Sequence, residues 1–202
     1  GVRDNNLQKE LTQEIILYLN CVGRLTTRNI VFGFGSYSIL ERLAWKIIPK
    51  GTMIGEFPQF RFFPLEYCAA GGTYQGFWNT QFNFPTDQLM NALESNTVRV
   101  VYINNPSNPL GKVWDRADLE AVIKKAAERD ILVIVDEIYG DLLSADISFA
   151  KLVPKYSNLI VLRSFSKIFG FGNLRVGYMI AQSEIIARYL AVRDWDEINN
   201  IG

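Results

Sequence analysis

The 202-residue chain predicts an α/β domain of three layers (α/β/α), with helices on both faces of a mostly parallel central sheet. Three observations carry this. Short apolar runs, such as residues 131–135 and 159–162, do not alternate with polar residues, as strands buried on both faces require. Stretches with helical spacing lie between such runs, so strands and helices alternate along the chain. Several runs end abruptly in polar or charged residues, and open α/β sheets bind ligands at the carboxyl ends of their strands.

Taken in order, residues 4–19 set Leu7, Leu11, Ile15, Ile16 and Leu19 near helical spacing. Residues 29–34 predict a strand, closed by Gly33-Phe34-Gly35. Ser36 opens a helix with Ile39, Leu40, Leu43, Ala44, Ile47 and Ile48 on one face, stopped by Pro49 and Gly51. Residues 52–57 predict a strand, and 61–70 a short helix that Pro64 argues against. The aromatic stretch 73–84 predicts a strand plus loop. Its Phe77, Trp78, Phe82 and Phe84 suit either a core or a partner subunit. A helix over 86–95 precedes a strand over 98–104. Asp115 is placed to cap a helix whose stripe is Leu119, Val122, Ile123, Ala126 and Ala127. Strands follow over 131–135, 159–162 and 175–181, and Ser183 is expected to cap a helix running to about 194. No repeat or linker interrupts the chain, so residues 1–202 predict one domain.

Composition narrows the chemistry. Lys plus Arg and Asp plus Glu are 21 each, so no basic excess argues for nucleic acid or an anionic membrane. No apolar run approaches the roughly 18 residues of a membrane span. The first twenty residues mix Arg3, Asp4, Lys9, Glu10 and Glu14 among apolar positions, unlike a signal peptide. Cys21 and Cys68 are the two cysteines, and they lack metal spacing; they suit a reducing compartment, the cytoplasm. There is no histidine. That excludes Ser-His-Asp and Cys-His catalysis within this chain and leaves no zinc ligand set, so no metal site is expected. Acid–base work falls to Lys, Tyr, Asp, Glu or a cofactor.

The strand ends hold the candidates. Gly33-Phe34-Gly35-Ser36-Tyr37 turns from a strand into a helix start, where free backbone N–H groups suit an anion; an ordinary turn would look the same. Ser38 stands where a dinucleotide fingerprint needs glycine. The run 104–111, with Asn105-Pro106 and Asn108-Pro109 closed by Gly111, forces an extended and then tight path. Asp136 ends a buried strand, an expensive place for a carboxylate without a partner; a capping or salt-bridged role is the plain alternative. Arg163-Ser164-Phe165-Ser166-Lys167, with Arg175 beyond, gathers hydroxyls and cations that suit a phosphate. Alone, Lys167 reads as a surface lysine.

The ordered set resembles the fold-type I pyridoxal-phosphate (PLP) enzymes of the class I/II aminotransferase family, from about residue 7 to 190. The motifs are the Gly-Ser turn, Asn-Pro-x-Gly, Asp-x-x-Tyr, and Ser-x-Ser-Lys followed by Arg. The stretch 158–167 is most similar to the histidinol-phosphate aminotransferase branch and its threonine-phosphate decarboxylase relatives. The resemblance implies that Lys167 forms the Schiff base with PLP and then moves the proton between the substrate and the cofactor. It implies that Asp136 pairs with the pyridine nitrogen, and that Asn108 and Tyr139 contact the ring oxygen. Ser164, Ser166 and Arg175 would hold the phosphate, together with the Gly35-Ser36-Tyr37 turn through backbone N–H groups. Phe60 would stack on the ring where the family usually has tyrosine or tryptophan, and Leu110 replaces the usual threonine of the Asn-Pro turn.

As a whole the resemblance implies the large domain of an aminotransferase, acting on an amino acid and a 2-oxo acid, as a homodimer. An amino-terminal segment and a carboxyl-terminal small domain would lie outside it. Two other functions remain open. One is decarboxylation on the same core, which carbon dioxide release without amino transfer would favour. The other is a PLP-sensing domain of a transcription regulator, for which no helix-turn-helix segment is present in this sequence. The plain alternative is an α/β domain whose polar strand ends are only caps and turns.

Overall fold

The computed structural model describes residues 5–78 and 81–192. Its strands are β1 (Ile30–Phe34), β2 (Thr52–Glu56), β3 (Thr73–Phe77), β4 (Val98–Asn104), β5 (Leu132–Asp136), β6 (Leu159–Ser164) and β7 (Val176–Ile180). The helices are α1 (Asn5–Tyr18), α2 (Gly35–Arg42), α3 (Phe62–Ala69), α4 (Thr86–Ala92), α5 (Arg116–Ala127) and α6 (Ser183–Ala191). All strands join one sheet in the order β1-β7-β6-β5-β4-β2-β3. The pairs β2–β3, β2–β4, β4–β5 and β5–β6 are parallel, whereas β7 is antiparallel to both β6 and β1.

Burial explains the unalternating apolar runs. Val101, Ile103, Val133, Val135, Leu159 and Val161 point into one core, with Ile15 of α1, Leu89 of α4 and Leu119, Val122 and Ile123 of α5. Their sequence neighbours Val100, Tyr102, Ile134, Ile160 and Leu162 point into a second core, with Ile39 and Leu40 of α2, Phe63 and Tyr67 of α3 and Ile185 of α6. Both faces of the central strands are therefore largely apolar, and each fully buried Val, Leu or Ile contributes roughly 1.5–3 kcal/mol relative to exposure.

Local chemistry sets most element ends. Asp115 caps α5, accepting from Ala117 N–H at 2.8 Å and Asp118 N–H at 3.3 Å. Pro64 does not prevent α3: it is the third residue, in the first turn, where a backbone N–H has no intrahelical partner. The helix predicted from Ser36 onward is α-helical only to Arg42. It then widens into a π turn over Leu43–Ile47, closed by Ile48 N–H to Leu43 carbonyl at 2.8 Å. Ser183 does not cap α6. It is the first helical residue, Gln182 holds the cap position, and the Ser183 hydroxyl turns to Glu184 at 3.1 Å. The predicted extension of that helix over 193–194 lies outside the described residues. Among the aromatics of 73–84, Phe84 packs on the core residue Trp114, whereas Trp78 (53% exposed) and Phe82 (40% exposed) lie at the surface with their rings 6.3 Å apart.

Because β7 reverses direction, the edge at which β1, β2, β4, β5 and β6 end is also the edge at which β7 begins. Phe34, Glu56, Asn104, Asp136 and Ser164 therefore share one rim with Arg175, which precedes β7. No helix among the described residues is long and apolar enough to cross a membrane.

Candidate active site

A cavity of about 170 Å³ opens at this rim. The β1–α2 turn contributes Ser36 and Tyr37, and the chain after β2 contributes Phe60. The end of β4 and its loop contribute Asn104, Pro106 and Asn108; β5 and its loop contribute Asp136, Ile138 and Tyr139. Ser164, Ser166 and Lys167 follow β6, and Arg175 precedes β7. The structure thus gathers the residues singled out in the sequence around one space, with one exception. Gly35 does not line the cavity; it stands behind Arg175.

Gly35 is needed there for two reasons. Its φ of 72° is a left-handed conformation that disfavours side chains, and a Cβ would lie 2.5 Å from Arg175 Nη2. Its N–H donates to the Arg175 carbonyl at 2.6 Å. Arg175 itself is left-handed, at φ 53° and ψ 48°, so the predicted strand starts one residue later, at Val176. Gly177 completes the contact: a Cβ on it would stand 2.2 Å from Ser36 N. The guanidinium of Arg175 is thereby held against the first turn of α2, where backbone N–H groups are free for an anion.

Ser164 and Ser166 join this end of the cavity. The Ser164 hydroxyl donates to Ser166 Oγ at 3.0 Å and accepts from Ser166 N–H at 3.1 Å. The side chain of Tyr37 is committed elsewhere. Its hydroxyl donates to Glu66 Oε1 at 2.5 Å, beside Trp45 Nε1 on Oε2 at 3.0 Å. The bond to Glu66, with burial, pushes the phenol up to about 12.

Asp136 is 4% exposed at the end of β5. Tyr102 donates to its Oδ2 at 2.7 Å and Ile138 N–H to its Oδ1 at 3.0 Å. Burial pushes the carboxyl up to about 6, against the pull of both hydrogen bonds. The same burial and the neighbouring carboxylate hold the Tyr102 phenol above its ordinary value. Tyr139 is half-buried, and the exposed Lys167 sets its ammonium 5.6 Å from the centre of the Tyr139 ring.

Sequence reasoning missed a second layer. Asn104 accepts from Phe60 N–H at 2.7 Å through its side chain and donates its own N–H to Glu56 Oε1 at 2.8 Å. Burial pushes Glu56 up to about 8. Tyr102 was hidden because it falls on the apolar beat of β4. The polar run that begins at Asn104 was the available signal for that residue. Asn105 serves the turn, accepting from Trp114 N–H at 2.9 Å. No group of His, Cys, Asp and Glu suited to a metal exists among the described residues.

The sequence profile of the family described as "Aminotransferase class I and II" matches residues 2–194. The chain belongs to this family. The histidinol-phosphate aminotransferase of Caldanaerobacter subterraneus subsp. tengcongensis is 29% identical over 195 residues, 96% of this chain and 53% of that protein. Among solved structures, the histidinol-phosphate aminotransferase from Clostridium acetobutylicum superposes with a TM-score of 0.82 at 25% identity, over 98% of this chain and 58% of that one. That from Sinorhizobium meliloti, in complex with pyridoxal-5'-phosphate, has a TM-score of 0.80 at 21% identity, over 93% of this chain and 50% of that one, and shares the fold. The chain spans about half the length of the curated relatives it matches.

Proposed function

We propose that this chain is the cofactor-binding large domain of a pyridoxal-phosphate-dependent aminotransferase, which exchanges an amino group between an amino acid and a 2-oxo acid. The observation that carries it is the convergence of Lys167, Asp136 and Arg175 on one cavity, from three different strand connections.

The residues fit the cofactor. The Gly35 cradle keeps the Arg175 guanidinium beside the start of α2, and with Ser164 and Ser166 this offers a cation, hydroxyls and free N–H groups to a phosphate. Asp136 fits the ring nitrogen, since a buried carboxylate lacking a cation favours a protonated pyridine beside it. Asn108 and Tyr139 line the same cavity and would meet the ring oxygen, and Phe60, its backbone N–H held by Asn104, would offer the ring an aromatic face. When bound, the cofactor supplies an electron sink for charge left on the substrate carbon. The chain's part is to hold the ring, to keep its nitrogen protonated through Asp136, and to carry the proton on Lys167 Nζ. A flexible stem on an exposed turn gives that amine reach.

A second copy of the chain belongs to this reading. Exposed Phe34, Phe57, Trp78 and Phe171 suit a subunit interface, where aromatics are enriched. Decarboxylation would use the same cavity, but the relatives named above are aminotransferases.

The test is reconstitution with pyridoxal phosphate followed by borohydride reduction and peptide mapping. The cofactor is expected on Lys167 and absent in Lys167→Ala. A reduced adduct on another lysine, or none in the wild type, overturns the assignment.

A further inference from the structure

We propose that Arg163 is a positioning residue that sets where the Tyr139 hydroxyl stands in the site, by clamping the turn that carries it. The proposal rests on the cofactor reading above and goes beyond it, because Arg163 does not line the cavity.

Arg163 lies at the end of β6, next to Ser164, and its side chain is 1% exposed. Nη1 binds Glu137 Oε2 at 2.9 Å and Nη2 binds Asp141 Oδ1 at 2.5 Å. These two acids flank Tyr139, two residues to either side. The planar guanidinium thus spans the turn with two nitrogens in a fixed fork, where lysine has a single mobile point charge. The turn closes above it through Gly140 N–H to Glu137 carbonyl at 2.8 Å and Leu142 N–H to Tyr139 carbonyl at 3.1 Å. Gly140 lets the guanidinium approach: a Cβ there would lie 3.2 Å from Nη2 and 3.1 Å from Glu137 Cβ.

The remaining charged and titratable neighbours support the clamp. Ser148 Oγ and Phe149 N–H each donate to Glu137, both at 2.7 Å. Tyr18 donates to Asp141 Oδ1 at 3.1 Å, and Tyr178 stands opposite Arg163 on β7. Upstream, Asp136 and Ile138 are fixed to the sheet through Glu137 N–H to Leu162 carbonyl at 2.8 Å and the Asp136–Ile138 bond at 3.0 Å. Past Ile138 the turn has left the sheet, and Arg163 is the side chain that ties both of its ends down. Two buried carboxylates need such a partner in any case. Their bracketing of Tyr139 gives the pair a second consequence.

The experiment reads the pH midpoint of the visible absorbance change of bound pyridoxal phosphate. Tyr139→Phe removes the hydroxyl and is expected to raise that midpoint. Arg163→Lys, folded by circular dichroism, is expected to raise it by less, and to add nothing in the double variant with Tyr139→Phe. If Arg163→Lys fails to fold, Asp141→Asn decides by the same two readings. A wild-type midpoint in the clamp variant, or a shift that adds fully to that of Tyr139→Phe, overturns the proposal. A purely structural loss would lower the melting temperature without this dependence on Tyr139. If Tyr139→Phe itself leaves the midpoint unchanged, the role of Tyr139 in the cofactor reading is what fails, and the clamp falls with it.

Discussion

Tyr102 on β4 reaches diagonally to Asp136 on the neighbouring β5, joined by a 2.7 Å hydrogen bond buried at the sheet's rim. The phenol is the one side-chain donor the structure gives this carboxyl among the described residues, and it favours the ionised form. Tyr102→Phe is therefore expected to push Asp136 further up. A hydrogen bond to a charged group is worth about 1.5–3 kcal/mol, so pyridoxal-phosphate affinity near neutral pH should fall by a comparable amount. Titrating affinity against pH checks this: the pH below which binding weakens should move upward.

The buried carboxyl also ties stability to pH. Burial raises Asp136 from 3.8 to about 6, so between those values the folded chain without cofactor holds more protons than the unfolded chain. Stability from this group is full below 3.8 and is lost as pH rises through about 6. Asp136→Asn should flatten that fall in a series of thermal melts on the cofactor-free chain. Saturating pyridoxal phosphate should reverse the wild-type trend, because a cation beside Asp136 favours its charge.

Glu56 acts in the same direction over a higher range. Its stabilising protonation is lost as pH rises from 4.5 through about 8. Glu56→Gln keeps an oxygen for the Asn104 N–H and never ionises. It should therefore melt higher than the wild type above pH 8, with little difference below pH 4.5. Equal melting temperatures on both sides would count against a neutral Glu56.

Two glycines should differ in what they tolerate. Gly35→Ala meets the flexible end of Arg175 and adds left-handed strain of roughly 1–2 kcal/mol, so the chain should fold with weakened cofactor binding. Gly177→Ala meets backbone at Ser36 N, which cannot swing away. Expression and melting temperature should suffer more at 177 than at 35.

The central strands and their buried faces were legible because the apolar runs at 131–135 and 159–162 are too short for helices, rich in β-branched residues, and ended by polar residues. The rim was legible because Asp136 is an expensive carboxylate at the end of a buried strand, and because Ser164, Ser166, Lys167 and Arg175 crowd hydroxyls and cations into one short stretch. The sequence did not reveal the layer beneath. Tyr102 and Glu56 become polar partners of the site only after β2, β4 and β5 are set side by side, a relation that no local spacing encodes. The end of α2 and the capping of α6 were misread because a π turn and an uncapped start obey tertiary packing rather than propensity.

The reversal of β7 has a consequence for how this site can change. Lys167 and Arg175 hang from a single excursion that leaves the rim after β6 and re-enters it before β7. An inserted or deleted residue in that excursion would move the amine and the anionic anchor relative to each other. The β1–α2 turn serves the anion alone, whereas this excursion links two roles, so a change in its length disturbs both together.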